Sequence, residues 1–542
     1  MAEQHELLQR LERLNAIGVA LSAELDNKRL LEMILLGAKE ITNADGGTLY
    51  TITEDQCLKF EIMHTHTLAI ALGGTTGKEI PFPPLPLYLA DGTPNLNMVA
   101  ANAVLNVRTV NIDDAYEADG FDFSGTRKFD QSMGYRSQSF LTIPMKNHEN
   151  EIIGVLQLIN AIDPVSRAIV PFSAANQQLV ESLASQAAVA MTNHNLIDGL
   201  KNLFEAFIEL IADAIDEKSP YTGGHCQRVP ELTMMLADAA NRTRVGPLAD
   251  FSMTEKEVYE LRIAAWLHDC GKVTTPESVM DKPTKLATIF DRIHAVDQRF
   301  ELLKKQMECA MLRQHLAALA KGHAADFDGL ESRLNMHARQ LNEDRDFLRN
   351  ANYGSEFMTP EHQQRVRDIA AYELLGEDGN PTSFLSENEV YNLNIARGTL
   401  TPEERTIINN HIVVTINMLE SLPYPKDLKR VPEYAGGHHE RMDGKGYPRG
   451  LTRAQMSVPA RVMGIADIFE ALTSRDRPYK KAKTLSESLH ILGKMKLDNH
   501  IDPDLFDIFI HEKIYLRYAE QFLEPEQIDE VNESLIPGYM AI

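Results

Sequence analysis

Two adjacent histidines open the run His438-His439-Glu440-Arg441-Met442-Asp443-Gly444-Lys445-Gly446-Tyr447-Pro448, and far upstream the pair His268-Asp269 is followed shortly by Lys272. An imidazole is unfavourable to bury unless each ring nitrogen finds a partner, and a divalent cation supplies such a partner. The chain must therefore fold so that segments distant in sequence converge on one interior point.

Local signals place further ligands on helices. His225, in Gly223-Gly224-His225-Cys226-Gln227-Arg228-Val229, opens one helix. Thr254 and Glu257 form a capping box for a second, which runs through Val258, Leu261 and Ala265 and carries His268-Asp269 near its end. Thr401-Pro402-Glu403-Glu404 caps a third, on which Ile408, His411, Ile412 and Thr415 share a face. The run Val462 to Leu472 places Asp467 beside Met463, Ala466 and Ala471, and a carboxylate on an apolar face needs a cation. A lone histidine among these would be read as a satisfied core imidazole. Seven together, His225, His268, Asp269, His411, His438, His439 and Asp467, have the types and number of a two-metal site. Asp269 can bridge two ions ~3.5 to 4 Å apart. The expected partition puts His225, His268 and Asp467 on one ion and His411, His438 and His439 on the other.

At 542 residues the chain exceeds what one core usually organises, so two or three domains are expected. Its formal charge of -24 argues against duplex nucleic acid as a partner. The four cysteines, Cys57, Cys226, Cys270 and Cys309, show no CxxC spacing, so neither a disulfide framework nor a structural zinc site is expected. No stretch approaches the ~20 apolar residues that span a bilayer, and Met1 to Arg13 lacks a signal-peptide layout. The expected setting is the cytoplasm, without membrane attachment.

The first 190 or so residues alternate in the α/β manner. Helices are expected near Leu7 to Ala23 and Lys28 to Ile41, and strands at Gly46 to Ile52, Cys57 to Ile62, Phe140 to Met145 and Ile152 to Asn160, the last two joined by the polar hairpin Lys146 to Glu151. Ser139-Phe140-Leu141-Thr142-Ile143-Pro144 leading to Ile153-Gly154-Val155-Leu156-Gln157-Leu158-Ile159-Asn160-Ala161 resembles the GAF domain family over about residues 20 to 195. The resemblance implies a sensor domain, 1–190, that binds an unknown small ligand. Thr126-Arg127-Lys128-Phe129-Asp130-Gln131 resembles part of a cyclic-nucleotide-binding motif, the plainer reading being a solvated charged loop. A long helix then spans 176–217. On it Leu196, Leu200, Leu203, Phe207, Leu210 and Ala214 recur at alternating steps of four and three, the seam of a parallel coiled coil in a homodimer. The alternative is a helix packed on its own domain.

From residue 213 to about 520 the chain resembles the HD-GYP family of the HD phosphohydrolase superfamily. The resemblance rests on His225-Cys226-Gln227-Arg228-Val229, His268-Asp269-Cys270-Gly271-Lys272, Asp281-Lys282-Pro283, the double-histidine run through Gly446-Tyr447-Pro448, and Ala466-Asp467 followed by Arg477-Pro478-Tyr479-Lys480. It implies an all-α bundle, 213–535, that hydrolyses cyclic dinucleotides, typically cyclic di-GMP, with two divalent transition-metal ions (Fe or Mn, with Ni, Zn or Mg as alternatives). 3′,3′-Cyclic GMP-AMP hydrolysis and a silent receptor are the rival readings. Lys272 would neutralise or protonate at the reacting phosphate, Arg477 and Lys480 would grip substrate phosphate, and Tyr447 would line the pocket or belong to a structural turn. A partner protein is expected at the Gly-Tyr-Pro loop or the insertion described next.

Departures from the family are informative. Tyr221 replaces a glutamate that holds a third ion in some members, so a dinuclear site is expected, with cleavage to linear pGpG and, as the alternative, onward to GMP. Glu470 stands where aspartate is common. Cys226 and Cys270 flank ligands, either as redox-sensitive groups or as small buried thiols. Lys282-Pro283-Thr284-Lys285 is parted from Leu400-Thr401-Pro402 by roughly 110 residues, far beyond an ordinary connection, and 287–398 is read as a helical hairpin turning at Gly322 to Gly329. This insertion supplies His294 as a rival to His411. The spacing from Leu400 to His411 fits the family and that from Leu286 to His294 does not.

Overall fold

The computed structural model describes residues 2–218, 224–324, 326–354, 357–475 and 482–540. The chain divides into two compact units, Met1–Leu203 and Phe204–Ile542.

The first unit begins with helices α1 (Ala2–Ala23) and α2 (Asn27–Thr42), the latter capped where Asp26 accepts from the Arg29 amide at 2.8 Å. The strands are β1 (Ala44–Ile52), β2 (Cys57–Thr65), β3 (Ile70–Gly73), β4 (Leu85–Pro86), β5 (Val110–Ile112), β6 (Phe140–Lys146), β7 (Ile152–Ile162) and β8 (Ile169–Val170). Their order is β3-β2-β1-β7-β6-β5, with β4 beside β2 and β8 beside β7, and every pairing is antiparallel. Successive side chains point to opposite faces of a strand, and the sequence exploits this. Leu49, Leu156 and Leu158 pack with Ile34 and Leu35 of α2 and with Leu179 and Leu183 of the long helix α5 (Ala174–Lys218). Their neighbours Tyr50 and Val155 cluster instead with Ala100, Ala101 and Val104 of α3 (Val99–Leu105).

The stretch Thr126 to Gln131 is not a loop. It lies on α4 (Ser124–Met133), where buried Asp130 accepts from the Ser137 amide and hydroxyl at 2.7 and 2.9 Å and from the Tyr116 hydroxyl at 3.0 Å. Those bonds occupy the carboxylate in holding its own loop. Helix α5 is 45 residues long, and Leu196, Leu200, Leu203, Phe207 and Leu210 along it are each more than half exposed.

The second unit is mainly helical. It comprises α6 (His225–Arg242), α7 (Glu255–Leu267), α8 (Glu277–Met280), α9 (Ile293–Ala320), α10 (Phe327–Tyr353), α11 (Pro360–Ala370), the strands β9 (Glu373–Leu375) and β10 (Pro381–Ser383), α12 (Glu387–Leu393), α13 (Pro402–Asn409), α14 (His411–Glu420), α15 (Val431–Gly436), α16 (Val458–Thr473), α17 (Leu485–Leu497), α18 (Pro503–His511) and α19 (Ile514–Phe522). Its core draws Val229, Leu232 and Leu236 from α6, Leu261 and Ala264 from α7, and Val462, Met463 and Phe469 from α16. Each large apolar side chain fully buried there stabilises the unit by about 1.5 to 3 kcal/mol.

Residues 286–393 contribute a second, separate core of Leu286, Phe300, Leu303, Leu341, Leu348, Val366, Phe384 and Leu393. The long pair α9 and α10 is followed by α11, the ribbon β9-β10 and α12, elements that the expectation of two helices omitted. The ribbon also departs from an all-α unit. Two buried lysines join the ends of this excursion. Lys282 Nζ donates to Glu404 at 2.8 and 2.9 Å and to Asn392 Oδ1 at 3.0 Å, while Lys285 Nζ donates to the carbonyls of Leu393 and Ile395 at 3.0 and 2.8 Å.

Candidate metal centre

Five helical segments deliver the candidate ligands. His225 is the first residue of α6, after Gly224 in a left-handed conformation (φ 81°). The capping box of Thr254 and Glu257 starts α7, and His268 caps its C-terminus, with Asp269 opening the 3₁₀ turn Cys270–Thr274. Thr401 and Glu404 form the expected capping box of α13. The helix then breaks at Asn410, so that His411 begins α14 rather than continuing one helix. His438 and His439 follow α15, and Asp467 lies on α16.

Close packing fixes these pieces together. The Gly271 amide donates to Thr415 Oγ1 at 2.9 Å, and a Cβ on Gly271 would lie 2.0 Å from the His411 carbonyl, so only glycine lets the turn after Asp269 approach α14. Buried Glu440 accepts from the amides of Arg449 and Leu451, both at 2.8 Å, which pins the loop carrying Tyr447. The Tyr447 ring stacks on His439 with centroids 4.8 Å apart.

All seven side chains converge. His411, His438 and His439 form one set and His225, His268, Asp269 and Asp467 another, with the ligand atoms of each set within 4.8 Å of one another. Asp269 stands between the two sets. Its Oδ2 lies 3.2 Å from His225 Nε2, 3.3 Å from His268 Nε2 and 2.5 Å from Lys272 Nζ, and its Oδ1 lies 3.2 Å from His411 Nε2. His294 is exposed on α9 and belongs to neither set. Tyr221, Arg477 and Lys480 lie outside the described residues.

Hydrogen bonds at the far side of each ring define what faces inward. The Nδ1–H groups of His268, His411 and His438 donate to the carbonyls three residues earlier, Ala265, Ile408 and Ala435, at 2.7, 2.5 and 2.7 Å. His225 Nδ1 is 2.5 Å from Glu470 Oε2, and Glu470 Oε1 accepts from Arg228 Nε at 2.8 Å. Each ring thus presents Nε2 to the centre, in the manner of metal-ligating imidazoles oriented by an outer carbonyl or carboxylate. His268 Nε2, His438 Nε2 and Asp269 Oδ1 are buried without a hydrogen-bond partner among the described residues. Orphaned inward-facing nitrogens and carboxylate oxygens fit a divalent cation.

Sequence reasoning passed over Glu470 as a mere departure. Its signal was present: it lies three residues after Asp467 on one helix, hence on a neighbouring part of the same face.

The electrostatics agree. Burial favours neutral Asp269, but Lys272 and the surrounding imidazoles outweigh it and hold the carboxyl far below the usual carboxylate range. Burial opposes charge on His225 and His268, yet the Glu470 and Asp269 carboxylates raise them to about 10 and about 9. Burial lowers His439 to about 4 and His438 well below its ordinary value. Lys272 is raised, because Asp269 overcomes its desolvation. Burial also pushes the Cys226 thiol up and that of Cys270 to about 11, which disfavours reactive thiolates at either.

Comparison with known proteins follows these two units. The GAF domain family matches residues 26–191, and HD domain families match 222–367 and 387–505. The chain therefore joins a GAF domain to an HD domain, whose His/Asp cluster implies divalent metal binding. It is 44% identical over 80 residues to the 3′3′-cGAMP-specific phosphodiesterase 1 of Vibrio cholerae, covering 15% of this chain and 18% of that protein. It is 42% identical over 113 residues to a cyclic di-GMP phosphodiesterase of Thermotoga maritima (21% and 30% covered) and 36% identical over 157 residues to the cyclic di-GMP phosphodiesterase response regulator RpfG of Xanthomonas campestris (29% and 38% covered). The chain thus spans well under half the length of these curated relatives. Among the described residues no helix is long and apolar enough to cross a membrane.

A cation must displace the protons that His225 and His268 hold up to about pH 10 and about pH 9, so its affinity rises as pH is raised from 6.5 toward 9. Calorimetric titration of the metal-free protein in buffers of different ionisation heat should show this rise together with proton release; a flat affinity would contradict the assignment of these rings. Glu470→Gln, which weakens the outer bond to His225, should lower metal affinity by about 10 to 100-fold in the same titration.

Proposed function

We propose that this chain is an HD-GYP phosphodiesterase that opens cyclic di-GMP to linear pGpG with two divalent transition-metal ions, Fe or Mn. The observation that carries this reading is the pair of adjoining ligand sets, with Asp269 of one set 3.2 Å from His411 of the other and beside Lys272. The His411, His438 and His439 set and the His225, His268 and Asp467 set would hold one ion each, with Asp269 contributing to both. Bound there, the ions would supply Lewis-acid neutralisation of the phosphate and activation of water at neutral pH.

The chain's own groups do the rest. Lys272, held 2.5 Å from Asp269, is aimed at the centre, where it would neutralise charge on the phosphoryl group or protonate the leaving oxygen. Tyr447, stacked on His439, forms a wall against which a substrate base or phosphate can rest. Tyr221, in place of an acidic third-ion ligand, favours a single cleavage. Arg477 and Lys480 complete the proposed phosphate grip. Phosphate-directed contacts leave the base open, and relatives named for 3′3′-cGAMP support that dinucleotide as the second candidate substrate.

Helix α5 supplies Leu179 and Leu183 to the core of the GAF unit and Ile208, Ala212 and Ile215 to that of the HD unit, which supports regulation of the enzyme by a small ligand of the GAF domain. Its exposed leucine seam supports a parallel homodimer.

The Mn- or Fe(II)-reconstituted protein should convert cyclic di-GMP to pGpG by chromatography, lose turnover on chelation, and lose at least about a hundredfold in kcat in Asp269→Asn, with His294→Ala unchanged. Metal-replete protein inert toward both dinucleotides would refute the enzyme. Light scattering should give twice the chain mass for the wild type and a monomer for Leu200→Asp/Leu203→Asp; a wild-type monomer would exclude the dimer.

A further inference from the structure

The last turn of α5 touches two of the turns that deliver the centre. Asp216 is buried, and its Oδ2 accepts from the Cys226 amide at 3.1 Å, next to His225. One turn earlier, Asp213 Oδ1 accepts from Gln227 Nε2 at 3.0 Å. Lys218 Nζ donates to three carbonyls of a single turn, those of Lys272 at 3.3 Å, Thr275 at 2.8 Å, and Val273. An ammonium has three hydrogens, so this convergence uses its full donor capacity. The turn it holds is short, with the Lys272 amide donating to the Asp269 carbonyl at 2.9 Å at its start and the Thr275 amide to the Lys272 carbonyl at 3.0 Å at its end.

Lys272 reaches Asp269 from this turn. A 3₁₀ turn has poorer hydrogen-bond geometry than an α-helix and leaves carbonyls free to tilt. The start of the turn is held by the Gly271 amide on Thr415 and by the Thr274 hydroxyl on the Gly271 carbonyl, and the carbonyls of Lys272, Val273 and Thr275 are held by Lys218.

We propose that Lys218 is a positioning residue for Lys272: the end of α5 fixes the backbone from which Lys272 meets Asp269, while Asp216 on the same turn fixes the start of the helix bearing His225. The fixing makes Lys218 a determinant of turnover rather than of substrate or metal binding. Removing the ammonium frees the Lys272 turn but leaves the seven ligands in place.

The inference rests on the phosphodiesterase reading, and the test separates the two. Lys218→Met keeps the side-chain stem and loses the donors; Lys218→Arg keeps a cation able to bond several carbonyls. In Mn-loaded protein Lys218→Met should lower kcat by about 10 to 100-fold, with KM and Mn per chain held within about twofold, and Lys218→Arg should restore most of the loss. In metal-free protein, amide hydrogen exchange over residues 270–275 should be faster in Lys218→Met than in wild type, with the rest of the HD unit unchanged. Full kcat in Lys218→Met, a loss that tracks metal content or general unfolding, or failure of arginine to rescue would each overturn the proposal. Should the wild type turn over neither dinucleotide, the phosphodiesterase reading falls, and unchanged exchange over 270–275 would overturn the positioning role as well.

Discussion

One buried carboxylate sets the terms for the HD unit. Asp269 is almost wholly removed from water, and desolvating an anion costs several kcal/mol unless positive charge or hydrogen-bond donors surround it. Its oxygens are approached by His225, His268, His411 and Lys272, drawn from segments up to 186 residues apart in sequence. The α6 start, the α7 end, the 3₁₀ turn and the α14 start all meet at this residue, and the close contact allowed by Gly271 is what lets the last two do so.

Much of this was legible in the sequence because the signals are local. Capping boxes at Thr254 and Thr401 fix where α7, which ends at His268, and α13, which leads to the start of α14, begin, and helical spacing sets the face that Asp467 occupies on α16. The long strands β1, β2, β6 and β7 were equally plain, since alternation such as Leu49-Tyr50 assigns each residue to a face, whereas β3, β4, β5 and β8, of two to four residues, were too short to register. Pairwise, long-range bonding was not legible. Glu470 and His225 are 245 residues apart, and nothing in the spacing of either announces the other. The break at Asn410 was hidden for a different reason: periodicity alone reads α13 and α14 as one helix, whereas tertiary packing of His411 against the Asp269 turn decides the direction of the second. The ribbon β9-β10 is formed by two three-residue strands, too short for alternation to register.

The ring orientations show how backbone carbonyls serve a site they do not face. His268, His411 and His438 each turn Nδ1 back to the carbonyl three residues earlier, so a histidine at or beyond a helix end is oriented by the peptide groups that the helix leaves unpaired. His225 begins its helix and uses the Glu470 side chain instead. The difference accounts for a buried acid beside an already anionic centre.

Lys282 and Lys285 give the long excursion a closed mouth. The chain leaves and re-enters at nearly the same point, and Glu404, which receives Lys282, is also the residue that completes the cap of α13. Because the entropy of holding such ends together grows only logarithmically with the length between them, the mouth is nearly indifferent to what hangs from it. The excursion has its own core, and the cap of α13, which leads to His411, sits directly beside its mouth. Two lysines thereby act as a mooring that keeps the far ends of a segment of more than a hundred residues beside the turn that presents His411.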